Sequence, residues 1–315
     1  MRRLVVVALG LLSLAASAGS GFAEDTLKVA IPQKGAWDAG LVEIGQRGGI
    51  FKKHGLVLDT LYTAAGPESI QALIGGSMDL ATASGVSAAV GTFAKGAPIR
   101  IIGSEMIGSP DLYWYVPTGS PIQKVEDFNG KTVAYSLTGS SSHAALLALI
   151  AQYKLTAKPT STGNITATIT QTMTGQVDVG FGAAPFGLDL AEDGKIRIVA
   201  SGNDVVSLRT RTVRVNLTSV NLLQNRRDAI VRFNRAYKET VAWMYSDPAA
   251  LKHYAEYSNL PEKIVLRVRE LIPKESMATE RVEGIDQIMA DAVAGKFIPA
   301  PLTSEQVKEL LQIPN

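Results

Sequence analysis

Apolar and polar positions follow one another in an order that the chain uses twice. Leu27 to Ile31 is a short apolar run that ends in a turn at Gly35, and Lys131-Thr132-Val133-Ala134 is another that ends at Gly139. About fifty residues on, each meets a Gly-x-x-Asp turn into a buried strand: Gly76-Ser77-Met78-Asp79-Leu80-Ala81 and Gly175-Gln176-Val177-Asp178-Val179-Gly180. A third match follows each Asp: Pro98-Ile99-Arg100-Ile101-Ile102-Gly103-Ser104 and Lys195-Ile196-Arg197-Ile198-Val199-Ala200-Ser201. Each copy reads strand, Gly loop, helix, strand, helix, strand, so each predicts a small α/β lobe. Two similar lobes leave a cleft, and small ligands bind in clefts between domains.

In the first copy the pattern predicts strands at 27–31, 56–61, 79–83 and 99–103, with helices at 39–51, 68–74 and 86–93. Leu112 to Val116 is dense in aromatic and β-branched residues and reads as a strand leaving the first lobe. Asp127 to Lys131 is a turn that opens the second lobe. There, helices are predicted at 141–153 and 169–174 and a short strand at 165–168. Arg211 to Leu217 alternates and reads as the return strand. The remainder is helical: Arg226 to Tyr245, which ends before Asp247-Pro248, then shorter helices from Pro248, Pro261, Met277 and Ser304. These breaks divide the chain into residues 1–23, a first lobe of 24–112 with 210–315, and a second lobe of 113–209.

The composition is globular, 46% hydrophobic and 19% charged over 315 residues, which argues against disorder or a fibrous repeat. Met1-Arg2-Arg3, the apolar Leu4 to Ala16 and the small residues before Glu24 have the anatomy of a cleavable secretory signal, too short to span a membrane. Loss of Arg2 and Arg3 would leave 29 of the 31 basic residues against 29 acidic ones, a formally neutral chain with no nucleic-acid footprint. There is no cysteine. The exported fold therefore has no disulfide and no lipid-modified Cys, and a monomeric protein free in the periplasm is expected.

Gly139-Ser140-Ser141-Ser142-His143 is the most specific local signal. Ser caps a helix, and the free N–H groups of its first turn favour an anion. Ser84-Gly85-Val86-Ser87 is the analogous turn in the first lobe. After the first strand, Lys34 offers a charge and Trp37 a stacking surface. Ala183-Ala184-Pro185-Phe186 leaves room at a strand end, with Phe186 as a wall. Arg209 and Arg211 start the return strand within reach of an anion. Asp79 and Asp178 read as matched structural residues, because Asp at such a turn bonds nearby backbone. His54, His143 and His253 lack metal-ligand spacing. Ser142 beside His143 is poorly placed as a nucleophile and base, and no nucleophile elbow, phosphate loop or dinucleotide fingerprint occurs. No cofactor is expected.

Gly49-Ile50-Phe51-Lys52-Lys53-His54-Gly55-Leu56, Gly76 to Asp79, Asp127 to Val133 and Gly139 to His143, in this order, resemble the periplasmic solute-binding proteins of ABC importers for nitrate, sulfonates, taurine and thiamine-precursor pyrimidines. The resemblance implies a two-lobed Venus flytrap of type II-like topology with two hinge-crossing strands. It implies ligand capture by lobe closure and delivery to a membrane permease served by a separate ATPase. By position it places Gly139 to His143 at the ligand's acidic group, and Ser84 and Trp37 along the cleft. The expected ligand is a small organic anion, a sulfonate or a carboxylate. A neutral pyrimidine, a sensory binding protein and a periplasmic enzyme using the same cleft are the alternatives. The lack of cysteine departs from relatives that make the thiamine pyrimidine.

Overall fold

The computed structural model describes residues 24–314; the expected signal at 1–23 lies outside the described residues. The first sheet holds β1 (Asp25–Pro32), β2 (Leu56–Thr63), β3 (Leu80–Gly85) and β4 (Ile99–Ile107), joined by β10 (Thr212–Ser219) from far along the chain. Its order is β2-β1-β3-β10-β4, with β1 parallel to β2 and β3, and β10 antiparallel to β3 and β4. The second set comprises β5 (Leu112–Pro117), β6 (Thr132–Tyr135), β7 (Lys158–Ser161), β8 (Gly180–Ala183) and β9 (Ile196–Ser201). A parallel bridge from Val133 to Val179 joins the β6-β7 pair to the β8-β5-β9 sheet. The combined order β7-β6-β8-β5-β9 then matches the first sheet strand for strand and direction for direction. In both, the antiparallel strand is the one that the chain lays down on crossing from the other unit. The repeated sequence pattern is thus a repeated sheet.

The repeated Asp serves both sheets alike. Asp79 Oδ2 accepts from the Lys28 backbone N–H at 2.9 Å, and Asp178 Oδ2 from that of Thr132 at 2.8 Å. Each fastens the first strand of its repeat, β1 or β6, to the strand that follows the turn. Replacing either by Ala is expected to cost about 1 kcal/mol of stability, the net value of such a bond, and to leave ligand affinity unchanged. Chemical denaturation alongside a binding titration checks both halves of that statement.

Helices cover the first sheet as α1 (Leu41–Arg47), α2 (Ile50–Lys53), α3 (Gly66–Ile74) and α4 (Val86–Ala94). The second carries α5 (Ser141–Tyr153), α6 (Ile165–Met173) and α7 (Leu188–Glu192). After β10 come α8 (Val220–Asn225), α9 (Arg227–Ser246), α10 (Pro248–Ser258), α11 (Glu262–Leu271), α12 (Ile285–Ala294) and α13 (Ser304–Leu310). These late helices return to the first unit: α9 packs on α1 and α2, α12 on α4, and α13 on β4.

Three expectations change. The helix predicted over 39–51 is two, because the chain turns at Gly48-Gly49, where Gly49 has φ +73°. The strand predicted at 165–168 is the first turn of α6. Asn164 caps it by accepting from the Ala167 N–H at 2.8 Å, which overrides the β preference of Ile165, Thr166 and Thr168. No helix starts at Met277; its side chain is buried, and the next α-helix begins after Gly284.

Candidate functional site

The strand ends of the two sheets face each other across a cleft with about 460 Å³ of empty space, its open mouth included. From the first unit it is lined by the loop after β1 and by Gly85. From the second it is lined by the start of α5, by Phe181 and by Ala183. Asp111 and Arg214, on the two crossing segments, complete it.

Hydroxyls build the start of α5. Ser140 caps it, its Oγ accepting from the His143 N–H at 3.2 Å. Ser142 is buried; its Oγ accepts from the Ser136 N–H at 3.1 Å and bonds Ser140 Oγ at 2.9 Å. Ser140 and Ser142 therefore shape the turn, and Ser141, half-buried, is the residue whose hydroxyl reaches across. Its Oγ accepts from Arg214 Nε at 3.1 Å. The first-turn N–H groups of α5 have no partners within the helix, as at any helix start.

His143 faces away from the cleft. Its ring stacks on Tyr135 at 4.2 Å, and its Nδ1 accepts from the Gly139 N–H at 3.2 Å. Burial lowers its pKa, so the ring is neutral at pH 7 with its proton on Nε2. It does not face the Ser142 hydroxyl as a base would.

The floor of the cleft is ionic, and its residues were not among the sequence candidates. Arg214 on β10 donates from Nη1 to Asp38 Oδ2 at 3.0 Å and pairs through Nη2 with Asp111 Oδ2 at 2.9 Å. All three side chains are buried. Burial opposes the guanidinium charge, but Asp111 and Asp38 more than compensate and hold its pKa above the ordinary value. Burial lifts the Asp111 carboxyl, against the pull of Arg214.

Beneath them lies Glu105, fully buried. Its Oε2 accepts from the Ala83 N–H at 3.0 Å and its Oε1 from the Tyr237 hydroxyl at 2.5 Å. Burial first, and then Asp38, pushes its pKa from the ordinary 4.5 to about 8. The folded state thus binds a proton that the unfolded chain has released. The stability this contributes is full below about pH 4.5 and is lost as pH rises through about 8. Glu105→Gln is expected to flatten stability against pH across that window, as thermal unfolding in a pH series will show.

The remaining sequence candidates separate. Trp37 is fully buried against Tyr245 and Tyr254, and its Nε1 donates to the Tyr245 hydroxyl at 3.0 Å, so its ring packs the first unit and offers no stacking face to the cleft. Lys34 is exposed, 5.3 Å from the centre of the Tyr62 ring, and does not line the cleft. Ser84 is buried and bonds the Thr82 carbonyl at 3.3 Å. Gly139 lines a separate hollow beside α4 and Phe297. Pro185 is buried. Phe186 is half-buried against Gly35, where it joins the two units instead of forming a wall; Phe181 is the aromatic residue on the cleft. Arg209 is exposed and donates to the Asn203 carbonyl.

Ser87 and Arg211 meet in a smaller cavity next to the cleft, which Ser141 also lines. Arg211 is 2% exposed and pairs through Nη2 with Asp291 at 2.6 Å. Its Nε and Nη1, and the Oγ of Ser109 on the same cavity, have no hydrogen-bond partner among the described residues.

Paired sheets of this order, crossed twice by the chain, are the architecture of periplasmic binding proteins. The alkanesulfonate-binding protein SsuA from Xanthomonas axonopodis pv. citri, bound to MOPS, superposes with a TM-score of 0.76 at 21% identity, over 89% of this chain and 97% of that one. The periplasmic aliphatic sulphonate binding protein SsuA from Escherichia coli gives 0.73 at 20%, over 92% of each chain. The periplasmic nitrate-binding protein NrtA from Synechocystis PCC 6803 gives 0.70 at 11%, over 90% and 84%. No curated protein matches the sequence. The chain belongs to the NMT1/THI5-like family, whose profile matches residues 40–251.

Proposed function

We propose that this protein is the extracytoplasmic solute-binding component of an ABC importer. It captures a small organic anion between two lobes, residues 24–112 with 210–315 and residues 113–209, and delivers it to a membrane permease with its own ATPase. Family membership and the sulfonate- and nitrate-binding neighbours support the class. The leader-like residues 1–23 support a periplasmic location. Engagement of His143 with Gly139 and Tyr135 supports binding over hydrolysis.

The observation that carries the anion reading is the Arg211 guanidinium, buried beside the start of α5 with two nitrogens that have no partner among the described residues. A buried donor without a partner is costly, and an acid group there would satisfy it. Titration calorimetry with alkanesulfonates, carboxylates and nitrate is the test. At least one class should bind saturably. Arg211→Gln should weaken it about tenfold or more, the value of one lost charged hydrogen bond, and Arg209→Gln should not. No saturable binding across the panel, or equal affinity in a folded Arg211→Gln, overturns the reading.

A further inference from the structure

β10 lies between β3 and β4 in the first sheet, and its pairing with both breaks at the same level. On one side Val215 faces Ser84 and Leu217 faces Ala81, so Asn216 alone lies opposite Thr82 and Ala83. On the other, Val215 faces Ser104 and Arg214 faces Met106, so Glu105 is the extra residue. Bulges of this kind re-aim side chains and are frequent next to functional sites. Here they bring two side chains to one backbone group. The Ala83 N–H donates to Glu105 Oε2 at 3.0 Å and to Asn216 Oδ1 at 3.1 Å.

Ala83 needs that hold. Its φ of +48° is left-handed, a conformation that costs a residue with a Cβ and persists only where its surroundings fix it. Ala83 lines the cleft, and two residues on is Gly85, where the first sheet meets the backbone at the start of α5. The direction in which β3 leaves Ala83 therefore decides how Gly85 meets α5. Glu105 is fully buried and does not line the cleft, so it acts on a ligand through Ala83 and through its charge.

The ionisable groups facing Glu105 are Asp38 from the loop after β1, Arg214 on β10 and Tyr237 on α9. Arg214 is already shared by Asp38 and Asp111, which leaves that cluster one formal negative charge. An ionised Glu105 would add a second beneath a cleft that takes an anion, where buried charges are poorly screened. With its pKa near 8, the neutral form prevails at pH 7.

We infer that Glu105 is a positioning residue for ligand capture: it fixes the Ser84-Gly85 turn through Ala83, and it does so as a neutral acid, which links anion binding to a proton held beneath the cleft. This rests on the importer reading above and adds a regulation of the same site. The ligand favours the protonated form, so affinity falls as pH rises through about 8, by up to about tenfold per pH unit.

The test is calorimetry on the chain from Glu24 with propanesulfonate, acetate and nitrate, all fully ionised from pH 7 upward. For each that binds, wild-type affinity is expected to fall at least about fivefold between pH 7 and pH 9.5. Glu105→Gln, a neutral isostere whose amide oxygen still accepts from Ala83, should show less than about a twofold fall. Glu105→Met, which leaves the Ala83 N–H to Asn216 alone, should bind about fivefold more weakly than Glu105→Gln at pH 7, the effect of about one hydrogen bond. In ligand-free wild type, which requires no variant to fold, the Ala83 and Gly85 amide resonances should titrate together with a midpoint near pH 8. A flat wild-type profile, a fall that persists in Glu105→Gln and so belongs to another group of the cluster, equal binding by the Met and Gln variants, or amide resonances that do not titrate overturns the inference and leaves the importer reading intact. Binding of none of the three anions at any pH overturns both.

Discussion

Gly85→Ala is expected to give a protein that folds as well as the parent and binds its ligand much more weakly. The backbone at Gly85, φ −58° and ψ 127°, suits any residue, so the change strains nothing within its own unit. A Cβ there would lie 2.8 Å from the Ser141 nitrogen, 3.1 Å from the Gly139 oxygen and 3.2 Å from the Ser140 carbonyl carbon. All three are backbone atoms of the opposite unit, at the start of α5, and backbone cannot turn aside as a side-chain tip would. The clash exists only when the units are closed on each other. Overpacking of this kind typically costs about 1–3 kcal/mol, or roughly five- to 150-fold in affinity if it falls on the closed state alone. The ligand-free melting temperature should hold or rise slightly, because Ala narrows the unfolded ensemble relative to Gly. Small-angle scattering should show that saturating ligand contracts the parent and not the variant. Equal affinities would mean that the first sheet and α5 do not need to approach this closely when ligand binds.

The same residues show which parts of the molecule the sequence disclosed. Elements held by local signals were legible. The two Asp turns, the strands that they fasten and the Ser140 cap of α5 all depend on residues a few positions apart or on a pattern repeated along the chain. The correct limits of α5 follow from one capping serine and an Ala- and Leu-rich run. The misread turn of α6 has the opposite cause: β-branched residues argued for a strand, and a single Asn164 cap decided otherwise. The cleft was only half legible, since its other half is made by long-range pairing. Asp38 and Arg214 are 176 residues apart, and Ser141 and Arg214 are 73 apart. A signal for Arg214 was nonetheless present. It is a charged residue within Thr212-Val213-Arg214-Val215-Asn216-Leu217, a run otherwise fit for a buried strand, and such a residue must find a partner. Trp37 was misplaced for a related reason. Aromatic residues beside a predicted cleft are equally suited to the core beneath it, and only Tyr245 and Tyr254, contributed by α9 and α10, determine which it is.

Arg214→Met is expected to be the most destabilising single change in the cleft. Methionine replaces the aliphatic stem well, so the loss is electrostatic. Asp38 and Asp111, 4% and 2% exposed, would remain buried without the cation between them. Breaking a buried pair from one side typically costs about 3–5 kcal/mol, which at this size lowers the melting temperature by roughly 10 °C. The pH dependence separates this cause from lost packing. Without Arg214, the main influence opposing the burial that already lifts the Asp111 carboxyl is gone. Its folded pKa, already above the ordinary value, then rises further, so the variant gains stability relative to the parent as pH falls and protons neutralise the pair. The deficit should shrink toward pH 4, whereas a packing defect would be the same at every pH. Adding Asp38→Asn and Asp111→Asn to Arg214→Met should recover most of the stability, because a neutral floor has no charge left to bury. It should not recover ligand binding. That divergence follows if the ion cluster is kept for recognition: the fold tolerates a neutral floor, while Ser141 at the cleft loses the hold of Arg214 Nε.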